Sequence, residues 1–429
     1  MGSSKRLKLI AVIAQGVMLG AGSVWADDSA ALRADVEVLK SKLASVESKL
    51  AASERSGGAP GSADTGGPAM LQLPSGLQGL QLSGYGDVSY ILNFERADAA
   101  KGRTNRGRAF DLQSNAFTPQ AFTLTLEKPV SADMPVGFRT DLMFGDDAEV
   151  IHSTGLGNAT QPFDLEQAYI TYHAPVGNGL DFKAGKFVTL LGSEVIRSPD
   201  DWSFSRSFLF TYAIPFTHTG VLASYSLGDY GSVTGGVVNG WDIVDENNQF
   251  KSLIGAVTLT PIKTVSLGIN GITGAERPGD NRNDRSVIDL TAMWQPIEPL
   301  TLMANWDYGH ESGLSHGVTG TTGFDTANWH GLALYAKYDV SKIWSLAGRW
   351  EYFNDLGNTR TGLTGPGGTT ENNLHFQEFT LTSQWKLFNH LISRLEYRHD
   401  NANERVFFRG KSTFLTYQDT ISTEVIYQF

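Results

Sequence analysis

The sequence of 429 residues contains no cysteine. This absence excludes disulfide staples, thiolate metal sites and covalent attachment of a c-type haem. Long apolar runs are also lacking, because the one continuous apolar stretch, residues 9–20, is too short to cross a bilayer as a helix. Cations are outnumbered, with 34 Lys and Arg against 45 Asp and Glu, and this acidic balance argues against nucleic acid as a partner.

Enzyme signatures are weak. The 9 histidines are scattered along the chain, and the pattern His-x-Glu-x-x-His does not occur. Asp242, Asp245 and Glu246 carry oxygen ligands that suit a divalent cation, although a solvated loop explains them better. The sequence therefore predicts no metal and no cofactor, and it leaves a hydrolase only as an alternative.

The amino terminus has the three parts of a secretory signal peptide. Residues 5–8 are cationic, residues 9–20 are apolar, and residues 24–26 offer a small-residue cleavage site. We predict a signal peptide over residues 1–26; an uncleaved membrane anchor is the alternative. Its removal takes three cations and no acid, which changes the formal charge of the chain from −11 to −14.

A short heptad pattern follows the signal peptide and predicts a periplasmic coiled coil over residues 27–54. Its core positions recur in steps of four and three: Leu32, Val36, Leu39, Leu43, Val46 and Leu50. These core residues do not follow the arrangement that favours parallel dimers, so a trimer or a higher oligomer is allowed. Residues 55–79 are rich in Gly, Pro and Ser and predict a flexible linker between this helix and the rest of the chain.

From residue 80 onward, apolar residues recur at every second position, which is the period of a β-strand. In residues 80–94, for example, Leu82 and Val88 share one face, whereas Asp87 and Ser89 share the other. The pattern predicts about sixteen strands of the length that a tilted membrane-spanning strand requires. They are residues 80–94, 116–129, 135–145, 163–175, 179–191, 217–228, 231–242, 250–261, 264–274, 284–295, 299–310, 328–339, 343–353, 375–387, 389–399 and 414–429.

The last strand shows why this sheet has to close. Its apolar face holds Ile421, Val425, Tyr427 and Phe429, and its polar face holds Ser422, Glu424 and Gln428. An apolar face that ends in aromatic residues suits contact with lipid, where an open sheet edge would leave backbone groups without hydrogen-bond partners. We therefore expect the last strand to pair with residues 80–94. Tyr427 and Phe429 are also predicted to form the signal that the barrel-assembly machinery recognises.

The connections between the predicted strands alternate between short and long. Residues 175–178, for example, form a short turn, whereas residues 192–216 form a long loop. Short periplasmic turns and long extracellular loops are typical of outer-membrane barrels, and aromatic residues near the strand ends are consistent with interfacial girdles. The sequence thus predicts an all-β fold, a transmembrane antiparallel β-barrel over residues 80–429, with both chain ends in the periplasm.

Residues 192–216, which we call the apolar loop, differ from the other long loops. They contain many aromatic and aliphatic residues, and so much apolar surface would be costly to expose to water. Two placements fit this composition: the loop folds into the barrel lumen, or it packs against a neighbouring subunit. In the lumen, its charged residues are predicted to line a constriction: Glu194, Arg197, Asp200, Asp201 and Arg206.

A barrel of about sixteen strands is wide enough to hold an aqueous channel. Charged residues are predicted on the inward faces of its strands: Arg139, Asp141, Lys183, Arg349, Glu351, Arg394, Glu396 and Arg398. Two interpretations are open. The charges brace the wall as ion pairs, or they set up a transverse field that orders permeating ions and solutes.

Several motifs resemble those of the outer-membrane β-barrel porin-2 (OmpL-like) family. They are Leu126-Glu127-Lys128-Pro129, Asp141-Leu142-Met143-Phe144-Gly145, Asp164-Leu165-Glu166-Gln167-Ala168-Tyr169, Phe182-Lys183-Ala184-Gly185-Lys186-Phe187, Ser205-Arg206-Ser207-Phe208-Leu209-Phe210, Tyr212-Ala213-Ile214-Pro215-Phe216 and Val238-Asn239-Gly240-Trp241-Asp242. The resemblance runs from about residue 80 to the end and is more specific in its first half. It implies a pore-forming protein in the outer membrane of a Gram-negative bacterium, and it names no substrate.

We therefore predict a porin, a passive channel for small hydrophilic solutes or ions that forms a homo-oligomer in outer-membrane lipid. One alternative keeps the barrel as a sheath or scaffold for a periplasmic partner, such as an electron-transfer protein. The other alternative is a barrel hydrolase.

Overall fold

The computed structural model of the protein describes residues 79–97, 105–158, 160–313, 326–366 and 373–429. The predicted signal peptide, the coiled coil and residues 55–78 of the linker lie outside the described residues, and these parts of the domain organisation stay predictions. Within the described ranges, no helix is long and apolar enough to cross a membrane.

The described residues form eighteen strands in chain order, and sixteen of these strands build one closed antiparallel barrel. The barrel strands are β1 (Gln81–Asn93), β2 (Ala116–Lys128), β3 (Val136–Phe144), β4 (Phe163–Ala174), β5 (Leu180–Val188), β6 (Thr217–Ser226), β7 (Gly231–Val238), β8 (Ser252–Ile262), β9 (Val265–Ala275), β10 (Asp284–Ile297), β11 (Leu300–Ser312), β12 (Thr326–Asp339), β13 (Trp344–Leu356), β14 (Asn373–Leu387), β15 (Leu391–Ala402) and β18 (Tyr417–Gln428). The predicted all-β fold and the predicted number of strands are confirmed.

The remaining elements lie in the connections. A small hairpin of β16 (Phe407–Arg409) and β17 (Thr413–Leu415) occupies the last long loop, and the sequence pattern did not predict it. Its presence moves the start of the last barrel strand from the predicted residue 414 to Tyr417. The described helical segments are α1 (Asp146–Val150), 3₁₀ turns at Ser198–Asp200 and Gly228–Tyr230, and a π-helical turn at Leu209–Ala213.

The first and last strands close the barrel as the sequence predicted. β1 pairs with β18 in antiparallel register from Tyr85 opposite Gln428 to Asn93 opposite Thr420. Beyond this ladder, Gly84 and Phe429 exchange two backbone hydrogen bonds of 3.0 Å. Because β18 also pairs with β15, no strand of the barrel has an open edge.

Side chains alternate between the two faces of the wall. The outward face carries exposed apolar residues all around the barrel, which suits contact with lipid, and most charged strand residues point inward. The sequences of β4 and β14 do not alternate regularly between apolar and polar residues, and the structure explains both cases. In β4, a bulge at Glu166 turns both Glu166 and Gln167 toward the lumen, and in β14 the inward Leu374 and Phe376 are apolar because they pack in the core inside the lumen.

An arginine on the outward face should be most costly at the middle of the bilayer. Leu381 lies near the middle of β14 and is 49% exposed, whereas Leu387 ends the same strand and is 39% exposed. We expect Leu381→Arg to lower the free energy of unfolding by about 2–4 kcal/mol and Leu387→Arg by about 0–1 kcal/mol. Denaturant unfolding in phospholipid vesicles measures both values, and equal losses at the two positions would contradict a lipid belt centred on Leu381.

Candidate functional site

The apolar loop lies inside the barrel. It leaves the wall after β5 and returns to it at β6, and most of its aromatic and aliphatic side chains are buried, with Val195 as an exposed exception. Contacts with β13, β14 and β15 hold the middle part of the loop. In a ring of sixteen strands, these three strands lie opposite to β5 and β6. The loop therefore crosses the lumen and does not pack on the outer surface of the barrel.

Two inward glutamates bind the backbone of the apolar loop. The carboxylate of Glu396 accepts hydrogen bonds from the backbone N–H groups of Phe204 (2.7 Å) and Ser205 (3.1 Å). The carboxylate of Glu351 accepts hydrogen bonds from Phe208 (2.7 Å) and Leu209 (2.6 Å) in the same way. Each carboxylate thus satisfies two adjacent buried donors, and hydrogen bonds to a charged acceptor are stronger than neutral ones.

Three inward arginines bind the carbonyl groups of the same loop. Arg349 donates to the carbonyl oxygen of Ser205 at 2.7 Å, and Arg398 donates to that of Arg206 at 2.5 Å. Arg394 donates to the carbonyl oxygens of Ser198 (3.0 Å) and Asp201 (2.5 Å). These five wall charges, Arg349, Glu351, Arg394, Glu396 and Arg398, are almost completely buried under the loop. Their geometry favours bracing over the alternative of a field across open water.

The arginines also need counter-charges, which the sequence analysis missed. Arg349 pairs with Glu378, Arg394 pairs with Glu424 at 2.8 Å, and Arg398 pairs with Asp400 at 2.7 Å. All three acids lie on inward positions of β14, β15 and β18. The period of two could have identified these acids as inward-facing, because the position of each acid differs by an even number from that of another inward residue of its strand.

The extracellular half of the lumen contains an apolar core. Phe208 of the apolar loop packs on Phe376 of β14 at 4.9 Å between ring centroids, and Phe210 packs on Phe110 of the first long loop at 5.8 Å. The inward faces of β6 to β10 extend this core with aliphatic residues. They are Leu222, Val238, Ile254, Ile272 and Val287. The side of the lumen near these strands is thus filled rather than polar.

Further anchors hold the two ends of the apolar loop. Near its start, the backbone N–H of Gly192 donates to Asp289 at 3.1 Å and that of Ser193 donates to Asn305 at 2.9 Å. At its end, Phe216 donates its backbone N–H to the carboxylate of Asp242 at 2.9 Å, and burial raises the pKa of Asp242 to about 6. Asp242 therefore closes a loop, and no group of three or more acidic or histidine side chains among the described residues has the geometry to hold a metal ion.

Arg360 joins the seventh long loop to the apolar loop. Its guanidinium lies over the rings of Trp241 and Trp329, at 4.5 and 5.0 Å from their centroids, and it donates to the carbonyl oxygen of Tyr212 at 2.7 Å. Burial lowers the pKa of Arg360 to about 10. The indole N–H of Trp329 also donates to the carbonyl oxygen of Ala213, at 3.0 Å.

A cleft lined by both charged and apolar residues remains on the other side of the apolar loop, against the wall of β1 to β5. Its cavity volume is about 350 Å³, and its lining includes the predicted residues Arg139, Asp141, Lys183, Glu194, Arg197 and Asp200. Arg197 and Asp200 keep 30% and 57% of their side chains exposed. The other predicted loop charges lie deeper: Glu194 binds Arg349, and Arg206 pairs with Asp201 at 2.9 Å inside the fold of the loop.

A closed sixteen-stranded barrel with an apolar outer face and a charged lumen crossed by a loop defines a porin-type outer-membrane barrel. Residues 79–429 match the model of the family described as "Putative beta-barrel porin-2, OmpL-like". The chain belongs to this family, which confirms the resemblance seen in the sequence. The protein is a porin of the outer membrane of Gram-negative bacteria.

Solved structures of outer-membrane proteins share this fold. The anion-selective porin from Comamonas acidovorans has a TM-score of 0.55 at 12% identity, over 82% of this chain and 99% of its own. The channel DcaP of Acinetobacter baumannii (0.52, 12%, 82% and 97%) and the trimer form of OmpT from Vibrio cholerae (0.52, 11%, 82% and 99%) are similar. No curated protein sequence matches the chain significantly.

If Glu396 holds the apolar loop, its loss should free the amides that it binds. We expect Glu396→Gln to speed hydrogen exchange at Phe204 and Ser205 about 10- to 100-fold, since a hydrogen bond to a charged group contributes roughly 1.5–3 kcal/mol. Exchange monitored by mass spectrometry measures this effect. Asp229→Asn, in an exposed turn, is the matched control. Unchanged protection of both amides would contradict an anchoring role for Glu396.

Proposed function

We propose that solutes diffuse through this porin along the cleft between the apolar loop and the wall of β1 to β5. The single observation that supports this path is the position of the loop, which crosses the lumen and leaves an open cleft with charged residues in its lining on that side. The opposite side is filled by the apolar core. The mechanism is passive: size and charge select the solute, and no covalent step takes place.

The charges along this path come from both the wall and the loop. Arg139 and Asp141 of β3 lie on the wall, and Arg197 and Asp200 lie on the loop. Positive and negative groups thus occur side by side along the proposed path. Such an arrangement orients polar solutes and favours small hydrophilic ones over apolar ones.

We further propose that the protein is a homo-oligomer. The predicted coiled coil would allow this oligomer to be a trimer. The comparison with the trimer form of OmpT supports oligomerisation of barrels with this fold. Tyr427 and Phe429 are proposed to serve the barrel-assembly machinery, because they end the closing strand on its outward face. Outer-membrane lipid is the proposed partner of that face.

The alternatives receive less support. A sheath for an electron-transfer protein needs an open lumen, and the apolar loop already occupies the lumen here. For a hydrolase, the sequence does contain one Gly-x-Ser-x-Gly pentapeptide, at residues 313–317. That motif acts in a turn from a strand to a helix, whereas here it connects β11 to β12, and all but its first residue lie outside the described ranges.

Replacing the middle of the apolar loop should widen the pore. We expect substitution of residues 198–212 by a short Gly/Ser linker to raise single-channel conductance in planar bilayers severalfold, because it removes the segment that crosses the lumen. The same linker in place of residues 278–282, in a loop that does not enter the core, should leave conductance unchanged. Unchanged conductance in the first variant would contradict the proposed path, and a silent wild-type barrel would favour the sheath.

A further inference from the structure

The cationic side chains that line the cleft beside the apolar loop differ in whether an acidic side chain pairs with them. Arg139 binds Asp141 at 2.9 Å and Glu127 at 3.3 Å, and Arg197 binds Asp200 at 3.0 Å. Lys183 on β5 differs from both. Within the described part of the chain, its ammonium group makes no ion pair and no hydrogen bond to protein.

Two aromatic rings lie beside this ammonium group. The Nζ atom of Lys183 lies 4.5 Å from the ring centroid of Tyr169 and 5.8 Å from that of Phe187. The lining of the same cleft also includes the side chains of Phe210 and Phe216. A cation over aromatic faces keeps its charge available for a further ligand, because these rings satisfy none of its N–H donors.

The acids of the cleft already have partners or are hidden. Asp141 accepts from Arg139 and from Gln167, Asp200 pairs with Arg197, and Glu194 binds Arg349. Glu166 is the remaining acid, and only 6% of it is exposed, so it presents little charge to a solute. Among the charged groups that line the cleft in the described part of the chain, Lys183 is therefore the accessible one without an ion pair.

The dimensions and the lining of the cleft suit a small organic molecule. Its volume of about 350 Å³ falls at the lower end of the range of small-molecule sites. Such sites combine an apolar lining with a few polar groups that fix orientation. Here the apolar groups are the aromatic rings, and the orienting group is a single ammonium.

We propose that this cleft is a binding subsite for small organic carboxylates with an apolar or aromatic body. The carboxylate pairs with Lys183, and the body lies against Tyr169 and Phe216. This inference rests on the proposed path, since it names the class of solute that pauses there. An inorganic anion would gain only the charge, and an apolar alcohol would gain only the ring contacts.

Isothermal titration calorimetry of the full-length protein in detergent tests the subsite with sodium benzoate as the probe. We expect saturable binding at one site per chain, with benzamide and benzylammonium binding at least about tenfold more weakly because they lack the charge-assisted hydrogen bond to Lys183. Equal affinity for benzoate and benzamide, stronger binding of benzylammonium, or no binding of benzoate would overturn the proposal.

Variants locate the binding to Lys183. Lys183→Met should weaken benzoate binding at least about tenfold, and Lys183→Arg should restore most of it. Lys386→Met is the matched control, because Lys386 is exposed and lines a different cleft near the periplasmic turns. Heat-modifiable migration shows that each variant has folded. Full affinity in folded Lys183→Met would overturn the proposal.

Conductance separates this inference from the proposed function. A wild-type protein that conducts but neither binds benzoate nor loses conductance in its presence keeps the porin function and refutes the subsite. A protein that binds benzoate through Lys183 but does not conduct keeps the subsite and refutes the path for solutes.

Discussion

Placing a stretch of irregular backbone inside a lumen creates donors and acceptors that water cannot fully satisfy, and each unsatisfied group is costly. The inward charges of the barrel meet this requirement. Glu351 and Glu396 take two adjacent N–H groups each, while Arg394 and Arg398 take carbonyl groups. Removing the charges from the wall would leave the loop without partners, and removing the loop would leave buried charges in excess. The two parts therefore depend on each other.

The topology decides which strands supply these anchors. In a ring of sixteen strands, a loop between β5 and β6 meets β13 and its neighbours on the opposite side. The anchoring charges lie on β13 and β15, and β14 and β18 supply counter-charges. The wall of β1 to β5 contacts the loop through Tyr85, whose ring centroid lies 5.2 Å from the Arg197 guanidinium, and it keeps an open cleft beside this contact. The wall is thus divided between a part that holds the loop and a part that meets the solute.

Much of this fold was predictable from sequence. The period of two and the alternating connection lengths predict the sixteen strands, their closure and the inward position of residues such as Arg349 and Glu351. The apolar composition of residues 192–216 predicts that the loop avoids water, but it leaves the lumen and a subunit interface as alternatives. The partners of the loop were not predictable, because contacts such as that between Phe204 and Glu396 join residues 192 positions apart. Only the closed ring brings them together.

The period of two fails where the lumen itself becomes a core. An inward position is polar only if water reaches it, and above the apolar loop water is replaced by side chains. Phe376 of β14 and Ile254 of β8 are inward and apolar for this reason, whereas Lys183 and Arg139 are inward and charged because the cleft beside them remains open. The chemistry of the inward residues therefore maps where the loop lies. By the same argument, Lys183, an inward cation that the loop does not cover and that has no ion pair among the described residues, marks the position where we propose that the chain meets its solute.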